Sequence, residues 1–146
     1  MKDRLRVELV DLPAFGRPVR MVWHKRRLAC ENPGCAMLTW TEQAPQIAPA
    51  RTSMTTRAGR WATVQVGRFA RPVSDLVVEL GCWWYTINRA VIGYGAALLI
   101  ADTDRIGAVD ALGLDETLFV REGRFRRRAW ATSVVDVGTG RLLDMI

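Results

Sequence analysis

The sequence predicts an α+β protein in three parts, with strands at both ends of the chain and helices between them. Three observations predict this order. Apolar and polar residues alternate near the start of the chain and again near its end, which is typical of half-buried strands. In the middle of the chain, apolar residues recur every three or four positions, which is typical of helices that bury one face.

The first part, residues 1–49, is expected to be a β-hairpin. Residues 5–10 alternate as a strand does, and residues 19–23 read as the returning strand. The residues between them, 12–18, include two prolines and a glycine, which predicts a wide loop. Residues 44–49 contain two further prolines, so we expect an extended linker there.

The second part, residues 53–95, is expected to contain three helices. Apolar residues at three- and four-residue spacing predict the first helix, with Ser53 or Thr55 as its N-cap. Arg57 and Arg60 lie on or near the opposite face of this helix. Arginines at such positions can hold the phosphates of DNA.

The other two helices of this part meet at a glycine. Ser74 is expected to cap a short helix over residues 75–80, which Gly81 ends. A third helix is expected from residue 83 or 84 to about residue 94. Its inward residues are expected to be Trp84, Ile87, Ala90, Val91 and Tyr94.

This helix pair has the spacing of a helix-turn-helix. Val77 lies four residues before Gly81 and Ile87 lies six residues after it, so the two apolar side chains can lock the helices together. In such a motif the second helix enters the major groove, where asparagine reads adenine and arginine reads guanine. A small helical bundle with a polar face is the alternative. The residues expected to contact DNA are Tyr85, Thr86, Asn88 and Arg89.

The third part, residues 102–146, is expected to be an antiparallel meander. Strands are predicted over residues 109–116, 130–137 and 141–146, with a glycine-containing turn between the last two. Three strands without a covering helix leave one apolar face open. The side chains expected to be exposed for this reason are Leu142, Leu143 and Ile146.

The charge of the chain favours a nucleic-acid partner. Only two of the 21 basic side chains are lysine, and arginine binds phosphate and base edges better than an ammonium group does. Residues 1–71 hold 13 basic and 5 acidic side chains, whereas residues 72–146 hold 8 and 10. A basic half in a protein with an isoelectric point near 10 indicates a polyanionic partner, and a merely soluble basic surface is the alternative.

Composition also bears on location. No apolar run approaches the roughly 20 residues that a membrane span needs, so no membrane partner is expected. The start of the chain lacks the apolar segment of a signal peptide, and three cysteines is an odd number. We therefore expect an intracellular protein without a disulfide framework.

Three residues are candidate metal ligands. Cys30 and Cys35 flank a Pro-Gly turn, which is how half of a tetrahedral zinc site is built, and a pair of reduced thiols is the alternative. The other available zinc ligands, His24 and Cys82, lie in other elements. Asp115 ends an expected strand, where a carboxylate joined by others can hold Mg²⁺ for phosphoryl transfer. A solvated acid is the alternative at that position.

Several short motifs follow one another in a specific order. They are Asp-Leu-Pro at 11–13, Gly-Arg-Pro-Val at 16–19, Lys-Arg-Arg at 25–27, the cysteine pair, Thr-Glu-Gln at 41–43, the helix pair around Gly81, Leu-Gly-Leu-Asp-Glu at 112–116 and Val-Asp-Val-Gly-Thr-Gly-Arg-Leu-Leu-Asp at 135–144. Their order and spacing, over nearly the whole chain, resemble the insertion-sequence transposases of the ISL-three family.

The resemblance implies a zinc-ribbon-like hairpin, a helix-turn-helix domain and the beginning of an RNase H-like catalytic domain. It implies that Cys30 and Cys35 are the later pair of zinc ligands and that Asp115 is the first acid of a magnesium-binding triad. The earlier cysteines and the two other acids would lie beyond this sequence. Trp83 departs from the family pattern, which has glycine or serine in the turn, and so makes the base-reading assignment less specific.

The resemblance therefore implies a DNA-binding fragment of a transposase that recognises the inverted repeats at the ends of an insertion element. Its expected partners are double-stranded DNA, a second copy of the chain or an intact transposase, in the bacterial cytoplasm at the nucleoid. We expect no strand transfer by this chain alone, because one carboxylate cannot hold two metal ions. A stand-alone helix-turn-helix regulator and a remnant without function are the alternatives.

Overall fold

A computed structural model describes residues 2–146 and confirms the α+β class, with two three-stranded antiparallel sheets and three helices in the described chain. The chain divides into two compact units, one ending at Ile100 and the other starting at Ala101. The two parts expected on either side of residues 49–53 thus belong to one unit, because strands and helices share one core there.

The first unit begins with a sheet in which each strand pairs with the next. The prediction of a wide loop over residues 12–18 is wrong, because Phe15 and Gly16 connect the first two strands alone. Both residues have positive φ, 52° and 70°, which matches the twist of a tight hairpin. The register shifts just before this turn, where Pro13 has no N–H to pair. The strands are β1 (Asp3–Ala14), β2 (Arg17–Ala29) and β3 (Thr39–Thr41).

The segment after β3 packs against the hairpin. The prediction of an extended linker over residues 44–49 is wrong, since Ala44 and Ala48 are buried and the N–H of Ala48 donates to the carbonyl of Ala44 at 3.0 Å. Farther along, Met54 forms a parallel β-bridge with Val10 on β1. The chain therefore enters the first helix already docked on the sheet.

Three helices follow, and their starts test the predicted caps. Thr55 caps the first helix, where its hydroxyl accepts from the N–H of Ala58 at 3.2 Å. The prediction of Ser74 as the second cap is wrong, because that helix begins at Val73, two residues before the predicted start, and Pro72 with its extended backbone takes the N-cap position. The helices are α1 (Thr56–Gly67), α2 (Val73–Leu80) and α3 (Trp84–Ala101).

α3 is longer than the sequence indicated. It was expected to end near residue 94, but two glycines at 93 and 95 do not stop it, and the alanine- and leucine-rich residues that follow favour a helix. Ile87 is buried as expected, whereas Trp84 is exposed. No helix within residues 2–146, α3 included, combines the length and the apolar character needed to cross a membrane.

One apolar core joins the hairpin to all three helices. Small residues on α1 allow the helices to approach the sheet closely, and leucines of α2 fill the space between them. Val77, beside Leu76 and Leu80 on α2, is partly buried and packs against this core, as do Ala90 and Val91 of α3. The buried members of the core are Val10, Met54, Ala58, Ala62, Leu76, Leu80 and Ile87.

The second unit is an antiparallel sheet, as expected, with each strand paired to the next. Leu142 and Ile146 are exposed as predicted. The same prediction is wrong for Leu143, which is buried, and its backbone carbonyl accepts from Nη1 of Arg105 at 2.8 Å. Arg105 precedes the sheet in the chain, and the meander pattern did not include it. The strands are β4 (Leu112–Val120), β5 (Ala129–Asp136) and β6 (Arg141–Met145).

Candidate nucleic-acid interface

A three-residue turn joins α2 to α3. Gly81 ends α2 in the left-handed conformation, with φ 59° and ψ 41°, and its N–H donates to the carbonyl of Val77. Three residues after α3 begins, Ile87 enters the core. The glycine therefore turns the chain between the two helices, and Val77 and Ile87 on either side of it pack in or against the same core.

Arg20 of β2 ties this turn to the hairpin. Its Nη1 donates to the carbonyl of Leu80 at 3.0 Å, and its second amino group donates to the carbonyl of Gly81. The last carbonyls of a helix have no partner inside the helix, and a cation there also suits the helix dipole. The sequence does not reveal this role of Arg20, because nothing in a strand pattern shows which helix end the strand will meet.

A groove of about 470 Å³ lies between α3, the loop before α1 and Gly59 of α1. Tyr85, Thr86 and Arg89, three of the four residues predicted to contact DNA on this helix, line it, and Arg51 lines the opposite side. The fourth, Asn88, is half-buried and is not part of the groove lining. The first turns of α3 thus present one amide beside a groove that holds two guanidinium groups.

Arg57, predicted to hold a phosphate, is paired inside the protein. Its Nε donates to Oδ1 of Asp11 at 2.7 Å and a second N–H donates to Oδ2, while the hydroxyl of Thr55 donates to Oδ1 at 2.8 Å. Asp11 is 2% exposed, whereas the Arg57 side chain remains 66% exposed. The guanidinium of Arg57 therefore serves first to fasten α1 to β1, which its place on the polar face did not reveal.

Arg60 is exposed on α1, one turn after Arg57. It makes no ion pair with any residue in 2–146, so its guanidinium is available to a ligand. Of the two arginines predicted on this helix to hold phosphate, Arg60 is thus the one without an ion-pair partner among the described residues.

Replacing Asp11 by asparagine is expected to lower the free energy of unfolding of the first unit by about 1–3 kcal/mol near neutral pH. The hydrogen bonds from Arg57, followed by that from Thr55, hold the pKa of Asp11 below its ordinary value despite its burial. The contribution of the Asp11 carboxylate to the free energy of unfolding is therefore fully present above the unfolded-state pKa of about 4. It is lost as the pH falls through the folded-state pKa. Urea unfolding followed by circular dichroism at several pH values measures it.

The matched control for this prediction is Asp3→Asn. Asp3 is exposed and its nearest cation, Arg27, lies 3.9 Å away, so we expect little change in stability. Asp11→Asn should also weaken the loss of stability that occurs as the pH falls below about 4, the unfolded-state pKa of an aspartate. An unchanged pH dependence in that variant would contradict the assigned role of the Asp11 carboxylate.

The two predicted zinc ligands lie in the connection between β2 and β3. The N–H of Cys35 donates to the carbonyl of Asn32 at 3.1 Å, which closes the turn after Cys30. His24 is exposed on β2, and Cys82 follows α2, where burial raises the pKa of its thiol. No group of three or more metal-ligating side chains occurs within residues 2–146. Two thiols supply half of a tetrahedral site, so these residues do not fit a complete zinc centre.

Asp115, the predicted catalytic acid, is exposed in the middle of β4. Its register partner is Ser133 on β5, which in turn pairs with Met145 on β6, so no acid lies beside it in this row of the sheet. Asp144 belongs to the neighbouring row, whose side chains point to the opposite face. A single carboxylate does not fit a two-metal site.

Another acid of the sheet, Asp136, shapes a turn. Its carboxylate accepts from the N–H of Gly138 at 3.0 Å and from the hydroxyl of Thr139 at 2.6 Å. The hydrogen bond from Thr139 is the main reason that the pKa of Asp136 lies below its ordinary value. The Asp136 carboxylate therefore accepts its hydrogen bonds within the turn between β5 and β6.

The first turns of α3 carry four of the six residues predicted to contact DNA, whereas Arg57 and Arg60 lie on α1. These turns of α3 carry an exposed guanidinium, an amide, a hydroxyl and a phenol. Ile87, in the same turns, is buried in the core and anchors them. No protein-family model, curated protein or solved structure matches this chain.

Proposed function

We propose that this chain binds duplex DNA, with α2, the Gly81 turn and α3 acting as a helix-turn-helix whose second helix reads the major groove. The observation that carries the proposal is the contrast between neighbouring residues of α3. Ile87 is fully buried, while Arg89 and Tyr85 on either side of it are exposed. A rigid helix with polar side chains projecting from its first turns is what base reading requires.

The side chains on α3 suit this task chemically. Asn88 can donate to and accept from adenine in the same plane, and Arg89 can donate two parallel bonds to guanine. Thr86 can contact a thymine methyl group or a phosphate, and Tyr85 can donate to a phosphate. α3 carries a single charged side chain, Arg89, so sequence reading rests on its first turns.

The arginines of the first unit support the electrostatic part of the proposal. Arg60 is exposed on α1, and Arg51 is an exposed cation that lines the groove beside α3. Such contacts attract any duplex and position it, without reading its sequence. Since Arg57 and Arg20 are engaged inside the protein, we assign the phosphate contacts to Arg60 and Arg51 first.

The biological target that we propose is the end of an insertion element, as the resemblance to ISL-three transposases implies. The role is recognition of the terminal inverted repeats. Cys30 and Cys35 offer two thiolates, and Asp115 offers one carboxylate. Because neither set fits a complete metal site, the proposed activity is DNA binding without a metal-dependent step.

Selection of binding sites from a random duplex library tests the proposal. We expect enrichment of one sequence, and we expect the double variant Asn88→Ala, Arg89→Ala to lose at least about 30-fold in preference for it, since each base contact is worth about 1–3 kcal/mol. The selected sequence should occur as inverted copies at the ends of a mobile element. Its occurrence at promoters alone would instead indicate a transcriptional regulator.

Arg60→Ala is the matched control for the double variant. A phosphate contact carries no sequence information, so this change should weaken binding to selected and scrambled duplexes equally. It should also reduce the slope of log affinity against log salt by about 0.9. Enrichment of no sequence, or equal loss of preference in both variants, would contradict a reading role for α3.

A further inference from the structure

The second unit concentrates its positive charge at one end. Residues 101–146 hold seven arginines and eight acids, yet five of those arginines and one of those acids lie within residues 121–128. We call residues 121–128 the arginine tip. The rest of the unit carries two arginines and seven acids. A strongly basic end on an otherwise acidic unit is an electrostatic target for a polyanion.

The arginine tip is an ordered turn between β4 and β5. Gly123 and Arg126 exchange two backbone hydrogen bonds, each of 3.1 Å, which leaves Arg124 and Phe125 at the apex. Every side chain from residue 121 to residue 128 is exposed. The turn therefore presents five exposed arginines within eight residues of chain.

These guanidinium groups have few partners inside the protein. Arg128 lies 3.8 Å from Glu122, and this is the one ion pair of the tip among the described residues. The other arginines of the tip make no side-chain hydrogen bond or ion pair within residues 2–146. They are Arg121, Arg124, Arg126 and Arg127.

An aromatic ring stands among these cations. Phe125 is 90% exposed, and the guanidinium carbon of Arg124 lies 5.3 Å from the centre of its ring. Nothing in the unit shields this ring from water. An aromatic face beside several arginines is the combination by which proteins bind single-stranded nucleic acid, since every base offers a face for stacking.

We propose that the arginine tip is a second nucleic-acid contact of this protein, in which the arginines hold phosphates and Phe125 stacks on an unpaired base. Its ligand is single-stranded or locally unpaired DNA. The guanidinium fork matches phosphate oxygens better than an ammonium group does, and all five cations of the tip are arginine. This contact uses no residue of α3 and therefore does not rest on the proposed reading of duplex DNA.

The test measures binding of the full chain to a labelled oligothymidylate of about 12 nucleotides over a range of salt concentrations. The triple variant Arg124→Ser, Arg126→Ser, Arg127→Ser should reduce the slope of log affinity against log salt by about 2, because each single-strand phosphate contact contributes about 0.7. Phe125→Ala should lower the affinity by about 5- to 150-fold and leave that slope unchanged. Phe125→Tyr keeps the ring and should retain binding.

The matched control removes three other exposed arginines that make no ion pair in the described chain, through Arg4→Ser, Arg17→Ser and Arg68→Ser. Equal loss of slope in both triple variants would overturn the proposal, as would wild-type affinity in Phe125→Ala. Vesicles of phosphatidylcholine and phosphatidylserine form a second arm. If the tip variant loses vesicle binding but keeps oligothymidylate binding, the partner is a membrane surface and the proposal is wrong.

The same assay separates this proposal from the function proposed for α3. The double variant Asn88→Ala, Arg89→Ala should bind oligothymidylate as the unchanged protein does, while losing its preference for a selected duplex. The tip variant should keep that preference. Each proposal can thus fail while the other stands.

Discussion

Replacing Ile87 by alanine is expected to lower the free energy of unfolding of the first unit by about 2–5 kcal/mol. Ile87 is the one fully buried residue of α3 in the described chain, and it packs in the core with Leu76 and Leu80 of α2. Alanine would remove its apolar contacts and leave a cavity where the two helices meet. Urea unfolding followed by far-ultraviolet circular dichroism reports this loss, because all three helices lie in the first unit.

Ile92→Ala is the control on the same helix. Ile92 is exposed, so its truncation should change the free energy of unfolding by no more than about 0.5 kcal/mol. Ile87→Ala should also weaken binding to a selected duplex, because Ile87 anchors the helical turns that carry Tyr85 and Arg89. Similar stability losses in the two variants would show that α3 is not held through Ile87.

Replacing Gly81 by alanine is expected to cost about 2–4 kcal/mol, for two separate reasons. The left-handed backbone conformation, with φ 59°, costs an L-residue about 1–2 kcal/mol. A Cβ at this position would also lie 2.9 Å from Cβ and 3.0 Å from Cγ of Pro18, whose rigid ring cannot rotate away. The turn would have to move from the hairpin, which would disturb the hydrogen bonds that Arg20 donates to it.

Gly16→Ala separates the two costs. Gly16 has φ 70°, but no atom would lie within 4 Å of a Cβ there, so only the conformational cost of about 1–2 kcal/mol applies. The difference in unfolding free energy between the two variants therefore measures the contact with Pro18. If Gly81→Ala costs no more than Gly16→Ala, the turn does not pack on the hairpin as tightly as the structure shows.

Apart from β3, which no sequence pattern indicated, the order of strands and helices could be predicted from the sequence, because each element depends on nearby residues. Thr55 caps α1 and Gly81 ends α2 as predicted, since a cap needs only a side chain or a φ value at one position. The hairpin turn was misjudged because prolines usually mark loops, whereas here Pro13 occupies a register shift and Phe15 accepts a positive φ. The end of α3 was misjudged because Gly93 and Gly95 weaken a helix without ending it.

The roles of the candidate site residues could also be predicted only in part. Arg57 and Arg60 look alike in the sequence, one helical turn apart, but only Arg57 meets a buried carboxylate. The partner, Asp11, lies 46 residues earlier and appears in the sequence as one more residue of a strand. Nothing local distinguishes an arginine that fastens two elements from one that faces solvent.

The sequence by itself determined the α+β class, the helix pair around Gly81 and the cluster of arginines in residues 121–128. All three depend on spacing and composition within a few turns of chain. The tertiary structure alone decided that Arg20 and Arg57 are internal partners, that Leu143 is buried and that Phe125 stands exposed at an apex. Burial and ion pairing depend on contacts between segments that are far apart in the sequence. A local sequence pattern does not specify those contacts.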